Sequence, residues 1–515
     1  MKRILSIYTL FAIILSMSAQ PEVFIESQIS ASNGHTPLWL NANKYGLSSL
    51  NSYNGYMRAI VSESLHKDHN SSKWDFGYAA DLVVPIGYVS QSRNGRYTSH
   101  LIIQQLYADV RYRNILLTIG SKQQPMSMRY ERLSTGAQTL GINARPIPQV
   151  RLGLDEWWAV PGTRNWLSLM GHVAYGIMTD GAWEKKFAEG SSFIYNEQTR
   201  YHQKAGYLRI GRPSRFPLTF TAGIEMASQF GGYLNNWKGS DQNNHKAIDR
   251  LKLKSDLNSY WNAFVPGGSE EDESLFKNAE GNQVGSWVVR FDWIEPEYTF
   301  GIYLDHFFED HSSMFFLDYD GYGTGKDWNT KKDFRFFLYK FSDFQLGIDI
   351  KLNEVPWLKR TVIEYIGSKY QSGPIYHDHN IGNPDHISGI DDYYNHWLFS
   401  GWQNYGQVIG NPLFRSPLYN EDGEIGTKCN RFNAWHFGAE GNIFRNLNYR
   451  VLCTFMKGYG TYKKPFTSPE VATNIMGELT YSTDPFSVTF AIGNDTGDIF
   501  GNNFGSQITI KYRIR

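Results

Sequence analysis

From Leu106 to Arg113 the chain alternates without a slip. Leu106, Ala108, Val110 and Tyr112 fall on one face, and Tyr107, Asp109, Arg111 and Arg113 fall on the other. A period of two is that of a β-strand, here with one apolar and one polar side. The same period returns at 218–226, 287–293, 344–352, 486–492 and 508–514. In the second of these, Trp287, Val289, Phe291 and Trp293 share the apolar face. Helical periodicity is scarce. Its best stretch, 247–264, lies inside a long polar segment and reads as a loop helix.

The connections carry a second signal. Short ones stand at 113–114, 159–165, 211–217, 294–297, 444–446 and 482–485. Long polar ones stand at about 122–147, 179–201, 229–284, 310–332, 370–431 and 459–470. From residue 101 onward short and long take turns, as in an up-and-down antiparallel meander whose long loops all leave at one end. The stretch 334–352 could be two strands joined at Ser342 and Asp343, which would reverse every later strand. Reading it as one bulged strand keeps the order and gives about 18 strands, an even number as a single-chain outer-membrane barrel requires.

A sheet of this size with one apolar face has two homes. It can stack against a second sheet in water, or close into a barrel with the apolar side toward lipid. Three features predict the barrel. The apolar faces end in Trp, Tyr and Phe, as interfacial girdles do. The polar faces carry Asp109, Arg111, Arg290 and Asp349, which suits a wet lumen. The loops are long at one end only. The fold class expected is therefore all-β, a transmembrane antiparallel barrel.

Composition narrows the function. In 515 residues no Pro-rich or Ser-rich linker marks a domain boundary, and 50 basic residues balance 50 acidic ones, giving no reason to expect a nucleic-acid partner. Lys2 and Arg3, the apolar run 4–15 and the small residues Ser16, Ser18 and Ala19 read as an export signal covering 1–20, with the barrel in 21–515. The two cysteines, Cys429 and Cys453, are expected as free thiols, with a single bridge the alternative.

Specific residues then add a resemblance. "TPLWLNANKYG" at 36–46, "LYADVRYRNILLTIGSKQQP" at 106–125, "LSTGAQTLGINARPIPQVRLGL" at 133–154, "EWWAVPGT" at 156–163 and "GHVAYGIMTDGAW" at 171–183 follow one another in that order. Together they resemble the Wzi family of capsule-assembly proteins, in the form common among Bacteroides-like bacteria. The motifs match over about a third of the chain, and the remainder is similar only in architecture. The resemblance implies an outer-membrane barrel of about 18 strands with an N-terminal helical segment. It also implies a non-enzymatic, lectin-like role in organising capsular polysaccharide at the cell surface. Two departures stand out. The chain closes on Tyr512-Arg513-Ile514-Arg515 rather than on an aromatic residue, and the segment before the barrel is short, so an N-terminal helical bundle would be reduced or built from 36–54.

Candidate chemistry is concentrated in the loops. In "NARPIPQVRLG" (143–153), Pro146 and Pro148 hold an extended backbone ahead of a strand beginning near Val150. Arg145, Gln149 and Arg151 there could contact an acidic polymer or constrict the lumen. The plainer reading is a loop folded into the barrel and pinned by Asp109, Asp155 or Glu156. Sugar binding wants aromatic faces flanked by amides, so Trp237, Tyr393, Tyr394, Trp397 and Trp402 in the loops 229–284 and 370–431 are the other candidates. His377, Asp378, His379, Asp385 and His386 have no second half with ligand spacing, and they read as polar loop rather than a metal site. Asp318, Asp320 and Asp327 lack the later Glu of a calcium loop. The acidic run Glu270–Glu273 reads as solvated loop. No cofactor is expected, and no nucleophile motif is present. Three functions follow: a barrel that binds capsular polysaccharide without chemistry, acting as a monomer in outer-membrane lipid; a channel for small solutes; or an outer-membrane hydrolase.

Overall fold

The computed structural model describes residues 21–66, 73–86, 100–238, 249–265, 281–309, 316–319, 321–337, 342–376, 381 and 387–514. The expected export signal at 1–20, Glu270–Glu273, Asp320 and the cluster His377, Asp378, His379, Asp385 and His386 lie outside these residues.

Eighteen antiparallel strands close into one barrel. They are β1 (Glu22–Asn33), β2 (Tyr53–Glu63), β3 (Trp74–Ile86), β4 (Ile102–Tyr112), β5 (Ile115–Ser121) and β6 (Gln149–Leu154). Next come β7 (Leu167–Ile177), β8 (Arg200–Ile210), β9 (Leu218–Phe230), β10 (Asn282–Ile294), β11 (Tyr298–Glu309) and β12 (Phe344–Leu352). The last are β13 (Arg360–Gly367), β14 (Phe432–Phe444), β15 (Leu447–Gly460), β16 (Pro465–Thr483), β17 (Phe486–Gly497) and β18 (Asn503–Arg513). Each strand pairs with its sequence neighbour. β1 then pairs with β18, from Phe24 opposite Arg513 to Asn33 opposite Phe504, so no edge is left open.

The alternation is inside-out relative to a water-soluble protein. Leu106, Ala108 and Tyr112 are exposed on the outer wall, while Asp109 and Arg111 are buried inside. Phe490, Ile492, Ile508 and Ile510 repeat the pattern on the last two strands. At the short-turn end exposed aromatics ring the wall: Trp74, Tyr112, Trp158, Trp166, Phe216, Trp293, Tyr298, Phe444, Tyr481, Phe486 and Tyr512. Several stack across strands, with Trp74 and Tyr112 at 4.6 Å and Phe486 and Tyr512 at 4.7 Å between ring centroids. An apolar outer band closed by an aromatic girdle is the surface that hydrocarbon and its interface select, and the barrel spans a membrane.

The stretch 334–352 is not one bulged strand: Phe334–Phe337 pairs with Phe316–Tyr319 in a separate hairpin, and only β12 joins the barrel wall, between β11 and β13, so the order of the later strands is kept. Two further expectations need correction. The long loop placed at 459–470 is only 461–464, because β16 starts at Pro465. The loop helix spans Leu257–Phe264, not 247–264, and Arg250–Leu253 before it is a short strand. This helix lies against the outer wall over β8 and β9. It covers the outward polar residues His202 and Lys204. Tyr175 Oη donates to the Tyr260 carbonyl at 2.9 Å, and Lys204 Nζ donates to the Phe264 carbonyl at the helix's C-terminal end. Leu257, Trp261 and Val265 remain exposed on its other side. Both cysteines are free thiols.

Candidate functional site

The lumen is filled by three segments of the chain. The first, 34–52, contains a single helical turn, Leu38–Asn41, which is what remains of the expected N-terminal helical segment. The second is 122–148. The third, 391–431, belongs to the loop expected to lie outside the barrel, yet much of it folds inward. Asparagine and glutamine side chains knit the three together, since irregular backbone packed away from water must find partners. Asn43 Nδ2 donates to the Thr135 carbonyl at 2.9 Å, Asn143 Nδ2 to the Val408 carbonyl at 3.0 Å and Asn411 Nδ2 to Thr135 Oγ1 at 3.0 Å. Only glycine fits at Gly410, where a Cβ would collide with the Tyr394 hydroxyl and the Gln138 carbonyl.

The plug is fixed to the wall by groups on the strands' inner faces. Glu364 on β13 accepts from Ser134 Oγ at 2.6 Å, Thr135 N at 2.7 Å and Tyr303 Oη at 2.6 Å. Leu38 N donates to Asp495 on β17 at 2.9 Å, and Trp39 Nε1 donates to Thr454 on β15 at 3.1 Å. One hydrophobic core joins plug residues Leu40, Leu133, Trp402, Leu413 and Phe414 to Tyr201, Val284, Phe307, Val362, Leu452, Met476 and Ala491 of the wall. These residues come from strands around most of the circumference. A smaller cluster of Leu47, Tyr56, Val83 and Ile102 joins the plug to β2, β3 and β4.

The polar inner face is therefore less wet than its charges suggest. Asp349 is buried between Arg290 and Arg360 at 3.0 and 2.6 Å. Arg111 lies 2.7 Å from Asp75 and 2.8 Å from Asp155, Arg58 lies 2.6 Å from Asp81, and Arg450 lies 2.6 Å from Glu478. Of the carboxylates expected to pin 143–153, Asp109 accepts from Lys122 and Thr118, and Asp155 accepts from Arg111, so neither of these two holds Arg145 or Arg151.

Arg145, Gln149 and Arg151 do come together, around a recess between the plug and the wall of β6, β7 and β8. Arg145 lies over the Tyr405 ring at 4.0 Å. Arg151, on the inner face of β6, forms no hydrogen bond or ion pair among the described residues.

The aromatic candidates divide. Tyr393, Tyr394 and Trp402 are 1% exposed and belong to the plug core. Tyr394 Oη donates to the Gln138 carbonyl, and Tyr393 Oη donates to Asp343 at 3.3 Å. Their ring faces are covered by protein, so the expectation that they face sugar is corrected. Trp397 and Trp237 instead meet at the loop end, 6.1 Å between ring centroids, with Trp397 44% exposed. Asn236, Glu197 and Arg250 lie in neighbouring segments, the last stacked 4.0 Å over Tyr233.

Sequence reading missed a second cluster. Asp180 and Glu184, on and just after the N-cap of the short helix Gly181–Phe187, share one amide. Gln403 Nε2 donates to Asp180 Oδ2 at 3.0 Å and to Glu184 Oε1 at 2.7 Å. Burial pushes Asp180 up to about 6, and burial plus the neighbouring Asp180 charge pushes Glu184 well above the usual carboxylate range. The only hint in the sequence was two acids, four residues apart, directly after a strand. Among the described residues no three His, Cys, Asp or Glu side chains converge as a metal site.

No protein-family model matches this sequence, and no curated protein sequence matches it. Solved structures do. Wzi of Escherichia coli, described as a carbohydrate-binding β-barrel involved in group 1 capsule assembly, aligns with a TM-score of 0.55 at 12% identity, over 98% of this chain and 86% of its own. OccAB4 of Acinetobacter baumannii aligns at 0.45 and 9% identity, over 96% and 98%. A BenF-like porin of Pseudomonas fluorescens aligns at 0.43 and 8%, over 96% and 98%. At these identities the likeness concerns the fold, that of an outer-membrane β-barrel.

Proposed function

We propose that this chain is a Wzi-type outer-membrane protein that binds and organises capsular polysaccharide at the cell surface, without catalysing a reaction. The loop end faces outward and the aromatic-girdled turn end faces the periplasm. The protein works as a monomer in outer-membrane lipid. The observation that carries the reading is the plug. Its apolar core meets the wall on most sides, and its polar atoms are bonded to strand carboxylates. A diffusive channel needs an open path, whereas a rigid plug supplies a platform on which loop-end residues are held in place. The pair Trp237 and Trp397 offers the stacking surface, and the nearby amides offer hydrogen bonds to hydroxyls. The motifs in 36–183 and the fold likeness to a carbohydrate-binding barrel support the same reading.

Purified, refolded protein passed over immobilised capsular polysaccharide of the source strain tests this. Retention that falls in Trp397→Ala and in Trp237→Ala is expected. If the wild-type protein is not retained, the reading fails.

A further inference from the structure

Most inward arginines face carboxylates: Arg58, Arg111, Arg129, Arg290, Arg360 and Arg450 each have one within 3.0 Å. Arg415 is satisfied instead by the Ile499 and Tyr419 carbonyls and the Asn420 amide oxygen, and Arg209 lies over the Trp157 ring at 3.7 Å. In the recess between plug and wall Arg145 and Arg151 have no such carboxylate among the described residues, and the lysine beside them, Lys122, is taken by Asp109 at 2.5 Å. Arg151 makes no hydrogen bond to any described residue. Three further polar atoms of lining residues are buried without a described partner: Arg145 Nε, Gln149 Oε1 and His172 Nε2. A guanidinium lining an enclosed recess with no carboxylate in hydrogen-bond reach is costly, and so are buried polar atoms left unbonded. Such groups persist where something other than the fold keeps them. The recess encloses about 90 Å³, several times the roughly 10–15 Å³ that a single water occupies on the same measure, so a small anion with its water fits.

The geometry points to an oxyanion site, for a carboxylate or a phosphate, either free or carried on a sugar. Arg151 lines the recess from the wall and Arg145 lines it from the plug, with its guanidinium 4.0 Å from the centre of the Tyr405 ring; each carries a fork of donors suited to an oxyanion. The Gln149 amide and the His172 ring flank them and suit hydroxyls or water beside the anion. Because one arginine is on the plug and the other on the wall, a bound anion would also tie the two together. Anion binding in the recess does not depend on capsule binding at the loop end.

The test uses the full mature chain, refolded in detergent, with sodium glucuronate, sodium phosphate, sodium chloride at matched ionic strength, and glucose. Thermal unfolding reads stability, and intrinsic fluorescence titration reads binding. A saturable rise in unfolding temperature is expected with glucuronate or phosphate and not with chloride or glucose. Glucuronate acting alone assigns the site to sugar carboxylates, and phosphate acting alone assigns it to phosphate. Arg151→Gln should abolish the saturable response, and Arg151→Lys should restore part of it. If neither oxyanion gives a saturable response in the wild type, or if Arg151→Gln responds as the wild type does, the site does not exist.

Discussion

Arg129 Nη2 lies 2.9 Å from Asp305 Oδ2, with both side chains buried where the plug crosses β11. Gln138 N and Nε2 also point at the same carboxylate. Removing one partner of such a pair strands the other charge, at a cost of about 3–5 kcal/mol, while replacing both with apolar groups of similar size is often neutral. Asp305→Ala should therefore lower the unfolding temperature sharply, and Arg129→Met with Asp305→Leu should recover most of the loss. Equal destabilisation by the single and double variants would show that the pair does not pin the plug.

The buried acids Asp180 and Glu184 make the junction between the helix Gly181–Phe187 and the 391–408 segment sensitive to pH. Their folded-state pKa values are raised above those of the unfolded chain, by burial first. Their contribution to stability is complete at pH below about 4, the ordinary carboxylate value. It is lost as pH rises, through about 6 for Asp180 and higher for Glu184. The unfolding temperature should be higher at pH 5 than at pH 8, and Asp180→Asn should reduce that difference. A pH dependence unchanged in Asp180→Asn would rule out this origin.

The two groups of aromatics should separate cleanly. Trp402→Ala opens the plug core and should cost about 3–5 kcal/mol of stability. Trp397→Ala, 44% exposed at the loop end, should leave the unfolding temperature within about 1–2 °C. Denaturant melts of the two variants side by side decide it, and comparable losses in both would place Trp397 in the core as well.

Much of the fold was legible because the physics is local. A period of two needs only neighbouring residues, and both Leu106 with its neighbours and the final run Ile508 to Ile514 fell on the lipid side as the alternation required. What the sequence could not show was which polar groups meet across the lumen. Glu364 and Ser134 are 230 residues apart, and no periodicity connects them. Aspartates and arginines on inner faces read as a wet lumen for that reason, although the plug buries them. The same limit misplaced Tyr393, Tyr394 and Trp402, since a loop rich in Tyr, Trp and Asn has one composition whether it faces sugar or packs inward. Arg145, Gln149 and Arg151 were singled out by their prolines, and the structure does bring them to one recess, with Asp109 and Asp155, two of the carboxylates expected to hold them, bonded elsewhere.

The plug also governs conductance. With 34–52, 122–148 and 391–431 packed across the lumen, reconstitution into planar bilayers should give no steady open-channel current. Asp305→Ala should introduce brief openings as the plug loosens. A stable ohmic current from the wild-type protein would favour a solute channel over a closed, sugar-binding barrel.

Whether a closed barrel holds polysaccharide on the cell surface is tested most directly by a clean gene deletion. Capsule is quantified on washed cells and in the medium, for the deletion strain, the parent and a complemented strain. Capsule is predicted to move from cells to medium with the total unchanged, and to return to the cells on complementation. Capsule retained on the deletion strain at the parent's level would contradict the proposed role.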